Sequence, residues 1–138
     1  MYLIPVKTGK STIEGTGVFT LEAIKKGTIT WKYVDGHDQT LSVAEYEKLD
    51  EAGKKYMEKV AYLSASSGQY IFPPENDPAL YTNHNAPHNN LTVVVDGSIS
   101  PEPHFVANRD IVAGEELTNS YHEFDAAINL KTIKPEWL

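Results

Sequence analysis

The chain has 138 residues, the size of one domain, and a domain near this size buries roughly two-thirds of its unfolded surface without needing disulfides or structural metal. It contains no cysteine, which excludes thiolate metal sites, disulfide frameworks and thiol nucleophiles. Its formal net charge of -7 disfavours direct nucleic-acid binding, because phosphate contacts need clustered Lys and Arg.

No apolar run is long enough to span a membrane, and the segment from Met1 to Pro5 is too short for a signal peptide. The expectation is a cytoplasmic protein (nuclear if the source is eukaryotic) with no membrane partner. The acidic surface suits a basic peptide partner through electrostatic steering. The one basic cluster, Lys54, Lys55 and Lys59, is interleaved with acids and reads as the solvated face of a helix.

Residues 1–6 read as a short strand with Pro5 at an edge, and residues 12–20 as strand pieces around a turn or bulge at Gly15 and Gly17. Residues 28–33 alternate β-branched and aromatic side chains in the manner of a strand, closed by Asp35-Gly36. Ser42-Val43-Ala44-Glu45 forms a capping box. Val43, Tyr46, Leu49, Tyr56, Met57 and Val60 then mark one helical face, with Gly53 expected to split the insert in two. Residues 69–72, 91–95, 104–108 and 116–120 read as strands, and residues 73–90 as mostly irregular. The whole is mainly β with one helical insert over about 42–63, and shows neither an internal repeat nor a linker.

One stretch resists this reading. Residues 81–90, Y-T-N-H-N-A-P-H-N-N, hold four asparagines, two histidines and a proline, and run straight into the apolar strand that starts at Leu91. Pro87 excludes a helix or a central strand. A polar loop held against a core must find partners for its polar groups, and such loops often carry function.

Several chemistries are absent. Gly15-Thr16-Gly17 is no dinucleotide loop, since the third glycine is replaced at Thr20. There is no phosphate loop and no nucleophile elbow. His84 and His88 stand four apart, but Pro87 denies the helix that would align them, and His37, His104 and His122 show no ligand spacing, so no metal site is expected. Glu115 and Glu116 would point to opposite faces of a strand, which argues against an acid/base dyad.

Three pieces remain, in fixed order: G-T-G-V-F from Gly15, N-H-N-A-P-H-N from Asn83, and G-E-E-L-T-N-S-Y from Gly114 to Tyr121. Together, with Asn108-Arg109-Asp110-Ile111 leading into the third, they resemble the SET-domain protein lysine methyltransferases, over roughly residues 11–138 of a single domain. The last piece matches the family's G-E-E-L-x-x-x-Y. The middle piece resembles N-H-S-x-x-P-N, departing at Asn85, Ala86 and His88, and Leu80 stands where arginine is common. The cysteine-rich zinc segment of many members is missing, and Pro135-Glu136-Trp137, in the tail over about 122–138, resembles the cysteine-free tail of others.

The resemblance implies a β-clip fold of small sheets with a C-terminal pseudoknot. It implies S-adenosylmethionine as cofactor, held by Gly15, Thr16, Gly17, Asn83, His84, Tyr121 and Trp137, with Tyr121 as the catalytic tyrosine and Tyr33 as a candidate wall of the substrate channel. The substrate implied is a lysine-containing basic protein or peptide, and so small a domain is compatible with a homodimer. The departures at Ala86, His88 and Leu80 keep a second reading open, a degenerate SET-like module that binds a peptide or partner without catalysis. A β-clip carbohydrate- or ice-binding relative is a third, for which the Tyr121 match has no use.

Overall fold

A computed structural model describes residues 1–126. Its strands form three small sheets around one core. β1 (Val6–Lys10) and β2 (Thr16–Thr20) make an antiparallel hairpin, with Gly9 opposite Gly17. β3 (Ile29–Trp31) follows, then β4 (Gln39–Ser42). The helical insert is α1 (Val43–Glu47) and α2 (Glu51–Val60), returning through β5 (Tyr62–Leu63) and β6 (Gln69–Phe72). After a 3₁₀ turn at Pro78–Tyr81 come β7 (Asn83–His84), β8 (Leu91–Val94), β9 (His104–Ala107) and β10 (Glu116–Asn119), and a second 3₁₀ turn at Tyr121–Glu123.

The sheet orders are β1-β2-β10-β7, β3-β9-β8 and β4-β6-β5. Among the described strands all pairings are antiparallel except one: β10 runs parallel to β7, with Thr118 beside Asn83 and Asn119 beside His84. That pairing joins two of the three sequence motifs. The antiparallel neighbour of β10 is β2, which carries the third, with Leu117 opposite Val18. Val18, Leu91 and Leu117 are fully buried, and with Trp31, Phe105, Ala107 and Ile111 they form the core beneath the junction. The four-stranded sheet thus brings Gly17, Asn83 and Glu116 to one end because its inward-facing residues are apolar and must pack together.

Three local expectations are corrected. The first strand lies at Val6–Lys10 rather than at residues 1–6, where Tyr2 makes a single bridge to Trp31. Gly53 does not divide the helical insert. The break comes at Lys48–Asp50, where Asp50 caps α2 by accepting from the Gly53 amide at 2.7 Å. A capping aspartate offers the freed amide a better partner than water, so the second helix starts there. Residues 73–90 are also more ordered than expected, holding a 3₁₀ turn and β7. The Ser42–Glu45 capping box forms with both reciprocal bonds.

Candidate active site

The polar loop finds its partners on β10. The Asn90 side chain, buried, donates to the Glu116 carbonyl at 2.8 Å and accepts from the Thr118 amide at 2.9 Å. The Asn85 amide donates to the Asn119 carbonyl at 3.0 Å. A side chain that replaces a ladder partner in this way ties a loop to a strand edge while leaving no buried donor unpaired.

Asn83 ties the loop to the first motif. Its amide nitrogen donates to the carbonyls of Glu14 (3.1 Å) and Thr16 (3.3 Å) and to Glu116 Oε2 (2.9 Å). Ser11 Oγ donates to both Glu116 oxygens at 2.8 and 2.9 Å. Glu116 is therefore a hub between β2, β7 and β10. A Cβ at Gly17 would meet its carboxylate and force that side chain to move, whereas at Gly15 the constraint is a φ of +49° with open space around the Cα. Glu115 turns the other way, paired with Arg109 at 2.9 Å. The two carboxylates do point apart, although Glu115 lies just before β10 and not in it. Glu116 as an organising residue has no counterpart in the sequence reading, which gives only that it and Glu115 point to opposite faces.

His84 and Tyr121 meet at the end of the parallel pair. The Tyr121 backbone amide donates to His84 Nδ1 at 3.0 Å, and the Tyr121 hydroxyl donates to the Thr82 carbonyl at 2.9 Å. Tyr2 supports the same point, its hydroxyl 2.7 Å from Thr82 Oγ1. Burial, followed by the neighbouring His122, pushes the His84 imidazole below its usual range. A neutral ring also suits the geometry, because Nδ1 must keep a lone pair to accept. Burial, with smaller contributions from Glu14 and Asp125, pushes the Tyr121 phenol up. Tyr121 is thus a neutral, immobilised hydroxyl at neutral pH.

A cavity of about 530 Å³ opens beside that hydroxyl, between the core sheets and the helical insert. Trp31, Tyr62, Phe105 and Phe124 give it an aromatic wall, with Phe124 edge-on to Tyr62 (5.2 Å between centroids), Phe105 (5.0 Å) and Tyr121 (5.9 Å). Among the described residues, Glu47, Glu58 and Asp125 line it against one lysine, Lys59. Asn119 also faces it, and its buried Oδ1 has no hydrogen-bond partner among the described residues. Leu80, where an arginine is common in the resemblance, lies on the wall.

The expected site residues divide accordingly. Gly15, Thr16, Gly17, Asn83, His84 and Tyr121 are brought together. Tyr33 packs on the core with its hydroxyl 3.3 Å from Asp35 Oδ1, and is not among the residues lining the cavity; Trp31 and Tyr62 are. Trp137 and the tail of the expected pseudoknot lie outside the described residues.

The sequence profile of the SET domain matches residues 15–122, and the chain belongs to that family. Among solved structures, a Plasmodium falciparum candidate histone methyltransferase superposes with a TM-score of 0.55 at 22% identity, over 86% of this chain and 93% of the other. A humanised mutant of the Chaetomium thermophilum Polycomb Repressive Complex 2, bound to an inhibitor, gives 0.61 at 25% identity over 88% of this chain. Apo ctPRC2 with substitutions in Ezh2 gives 0.69 at 23% identity over 93%. The chain spans 15% and 16% of the two Polycomb chains, so the likeness is to one domain of a larger protein. A comparison with curated proteins found no match.

Proposed function

We propose that the protein is an S-adenosylmethionine-dependent protein lysine N-methyltransferase acting on a basic protein or peptide. The observation that carries this reading is the placement of Tyr121: its backbone is fixed by His84, its hydroxyl by Thr82, and its ring faces an aromatic, net-acidic cavity.

The residues suit a cationic ligand. Asn119 Oδ1 is a buried acceptor without a donor, and Glu47, Glu58 and Asp125 add negative charge to the cavity. The orphaned acceptor is what a ligand carrying N–H groups or a positive centre would satisfy. Backbone from Glu14 to Gly17, Asn83, His84 and Tyr121 would hold the cofactor, whose bound form supplies an electrophilic methyl group on a positively charged sulfur.

The protein's own contribution is alignment and control of the amine. An attacking lysine must be neutral, and with an unperturbed pKa near ~10.4 that costs about 4.6 kcal/mol at pH 7. The Trp31, Tyr62, Phe105 and Phe124 wall lowers that cost by desolvating the ammonium, against the opposing pull of the cavity's carboxylates, which aids capture of the cationic side chain. Tyr121, held as a neutral phenol, is a poor base, and serves to orient the amine lone pair by hydrogen bonding. Alignment of nucleophile and methyl carbon supplies much of the acceleration in such a displacement.

Calorimetry with S-adenosylhomocysteine, followed by methyl transfer to lysine-rich peptides, tests the proposal. Binding of the product with lysine methylation is expected. Binding of basic peptides with no affinity for S-adenosylhomocysteine would favour the non-catalytic peptide-binding module, which the departures at Ala86, His88 and Leu80 motivate.

A further inference from the structure

Away from the candidate active site, the loop after Tyr33 and the loop before the 3₁₀ turn bring three ligand-type side chains together. His37, Asp38 and Asp77 each place a donor atom within 4.8 Å of the others. His37 Nε2 lies 2.6 Å from Asp77 Oδ2. Both carboxylates are buried, the Asp38 side chain at 0% and Asp77 at 5% relative exposure, while His37 is one-third exposed at 33%.

Each carboxylate there has a basic neighbour, the Met1 ammonium for Asp38 and His37 for Asp77, yet one oxygen is left over. Asp38 Oδ2 accepts from the Val34 amide at 2.8 Å and meets the Met1 ammonium at 3.3 Å. Asp38 Oδ1 is buried and has no hydrogen-bond partner among the described residues. Two carboxylates withdrawn from water need cations or donors on every oxygen, and an orphaned carboxylate oxygen is costly. A cleft of about 350 Å³ lined by Met1, His37, Asn76 and Asp77 reaches the cluster from the His37–Asp77 side.

We infer that His37, Asp38 and Asp77 form a divalent-cation site, separate from the cavity at Tyr121. One imidazole with two carboxylates is a mixed nitrogen-oxygen set that suits zinc, or cobalt in its place, better than the all-oxygen preference of calcium or magnesium. Bonds of ~2.1 Å at tetrahedral angles place ligand atoms about 3.4 Å apart, so modest side-chain rotation converts the present cluster to a ligand set. The orphaned Asp38 Oδ1 becomes a ligand, His37 Nε2 turns from Asp77 to the metal, and water completes the shell. Asp77 Oδ1 meanwhile stays on the Ala79 amide at 2.8 Å, capping the turn that leads into Thr82–His84. A bound ion would cross-link loops forty residues apart at the base of that segment.

Titration of the apo protein with Zn²⁺ by calorimetry, and with Co²⁺ by absorption, tests the inference without reference to activity. One ion per chain is expected, with a rise in melting temperature. His37→Ala, at a partly exposed position, and Asp77→Asn, which keeps the cap, should each weaken binding by on the order of tenfold or more. His84→Asn should leave stoichiometry and affinity unchanged. Absence of binding would overturn the site, as would binding that survives both substitutions, or that is lost with His84 and so belongs to the His84–His122 pair.

Discussion

The backbone amide of Tyr121 donates to His84 Nδ1 at 3.0 Å, so a residue of the middle motif fixes the main chain of the last one. The two rings lie 5.0 Å apart, and the parallel β7–β10 pair brings their segments side by side. This contact makes the histidine's role one of positioning: it holds the tyrosine's backbone while Thr82 holds its hydroxyl.

Removing that hydroxyl separates chemistry from structure. In Tyr121→Phe the ring contacts with His84 and Phe124 survive, and only the bond to the Thr82 carbonyl is lost, at a cost of about 1 kcal/mol in stability. Methyl transfer should fall strongly or shift in product distribution, while affinity for S-adenosylhomocysteine changes little. Mass spectrometry of the products with calorimetry on the same sample checks both. Full activity would remove Tyr121 from its proposed role.

His84 also sets a pH dependence. Burial, and then His122, hold its pKa below the ordinary value near ~6.5, so in the folded state it stays neutral where the unfolded chain takes up a proton. The unfolded state therefore binds more protons in this window. The contribution is complete above the ordinary histidine value and is lost as pH falls from there toward the lower folded value. Melting temperature should drop from pH 7 toward pH 5, and His84→Asn, whose amide oxygen can still accept from Tyr121, should drop less. Parallel slopes for the two proteins would refute the assignment.

The two glycines of the first motif should respond differently. Gly17→Ala drives a Cβ into the Glu116 carboxylate, so that side chain must swing away and give up its bonds to Ser11 and Asn83, at about 1–3 kcal/mol. Gly15→Ala meets no atom, and its cost is that of a left-handed residue, roughly 1 kcal/mol. Chemical denaturation should rank Gly17→Ala as the more damaging, and S-adenosylhomocysteine affinity should follow the same order. Equal effects would mean that the glycine-Glu116 packing does not shape the site.

The signals that sequence carries well here are local. Ser42 and Glu45 lie three apart and cap a helix whatever the rest of the chain does, and the alternation around Glu115 and Glu116 sends one outward and one inward. The three motifs were legible as an ordered set because each is short and rigid in composition. What joins them was not, because β7 pairs with β10 across some thirty-five residues and the bond from Asn83 to Glu116 depends on that register. Tyr33 is a channel candidate from the resemblance alone, whereas Tyr62, which lines the cavity, sits in no motif that would mark it. His37 and Asp77 are invisible as a pair for the same reason. Asp50 was overshadowed by Gly53, although the aspartate's bond to the Gly53 amide is what starts the second helix.

Asn119 offers a test of the cavity itself. Asn119 lines the cavity, and its buried Oδ1 has no partner among the described residues, so none of them gains a hydrogen bond from it. Truncation to alanine then costs the fold little beyond lost packing, while a ligand that donates to this oxygen loses one bond. A single bond of about 1 kcal/mol corresponds to roughly fivefold in affinity. Asn119→Ala should therefore weaken S-adenosylhomocysteine or lysine-peptide binding several-fold with a small change in melting temperature. Calorimetry identifies which ligand is affected, and so on which side of the Tyr121 hydroxyl the acceptor serves. A large fall in stability with both affinities intact would make Asn119 a structural residue and leave the cavity's polar end without an assigned role.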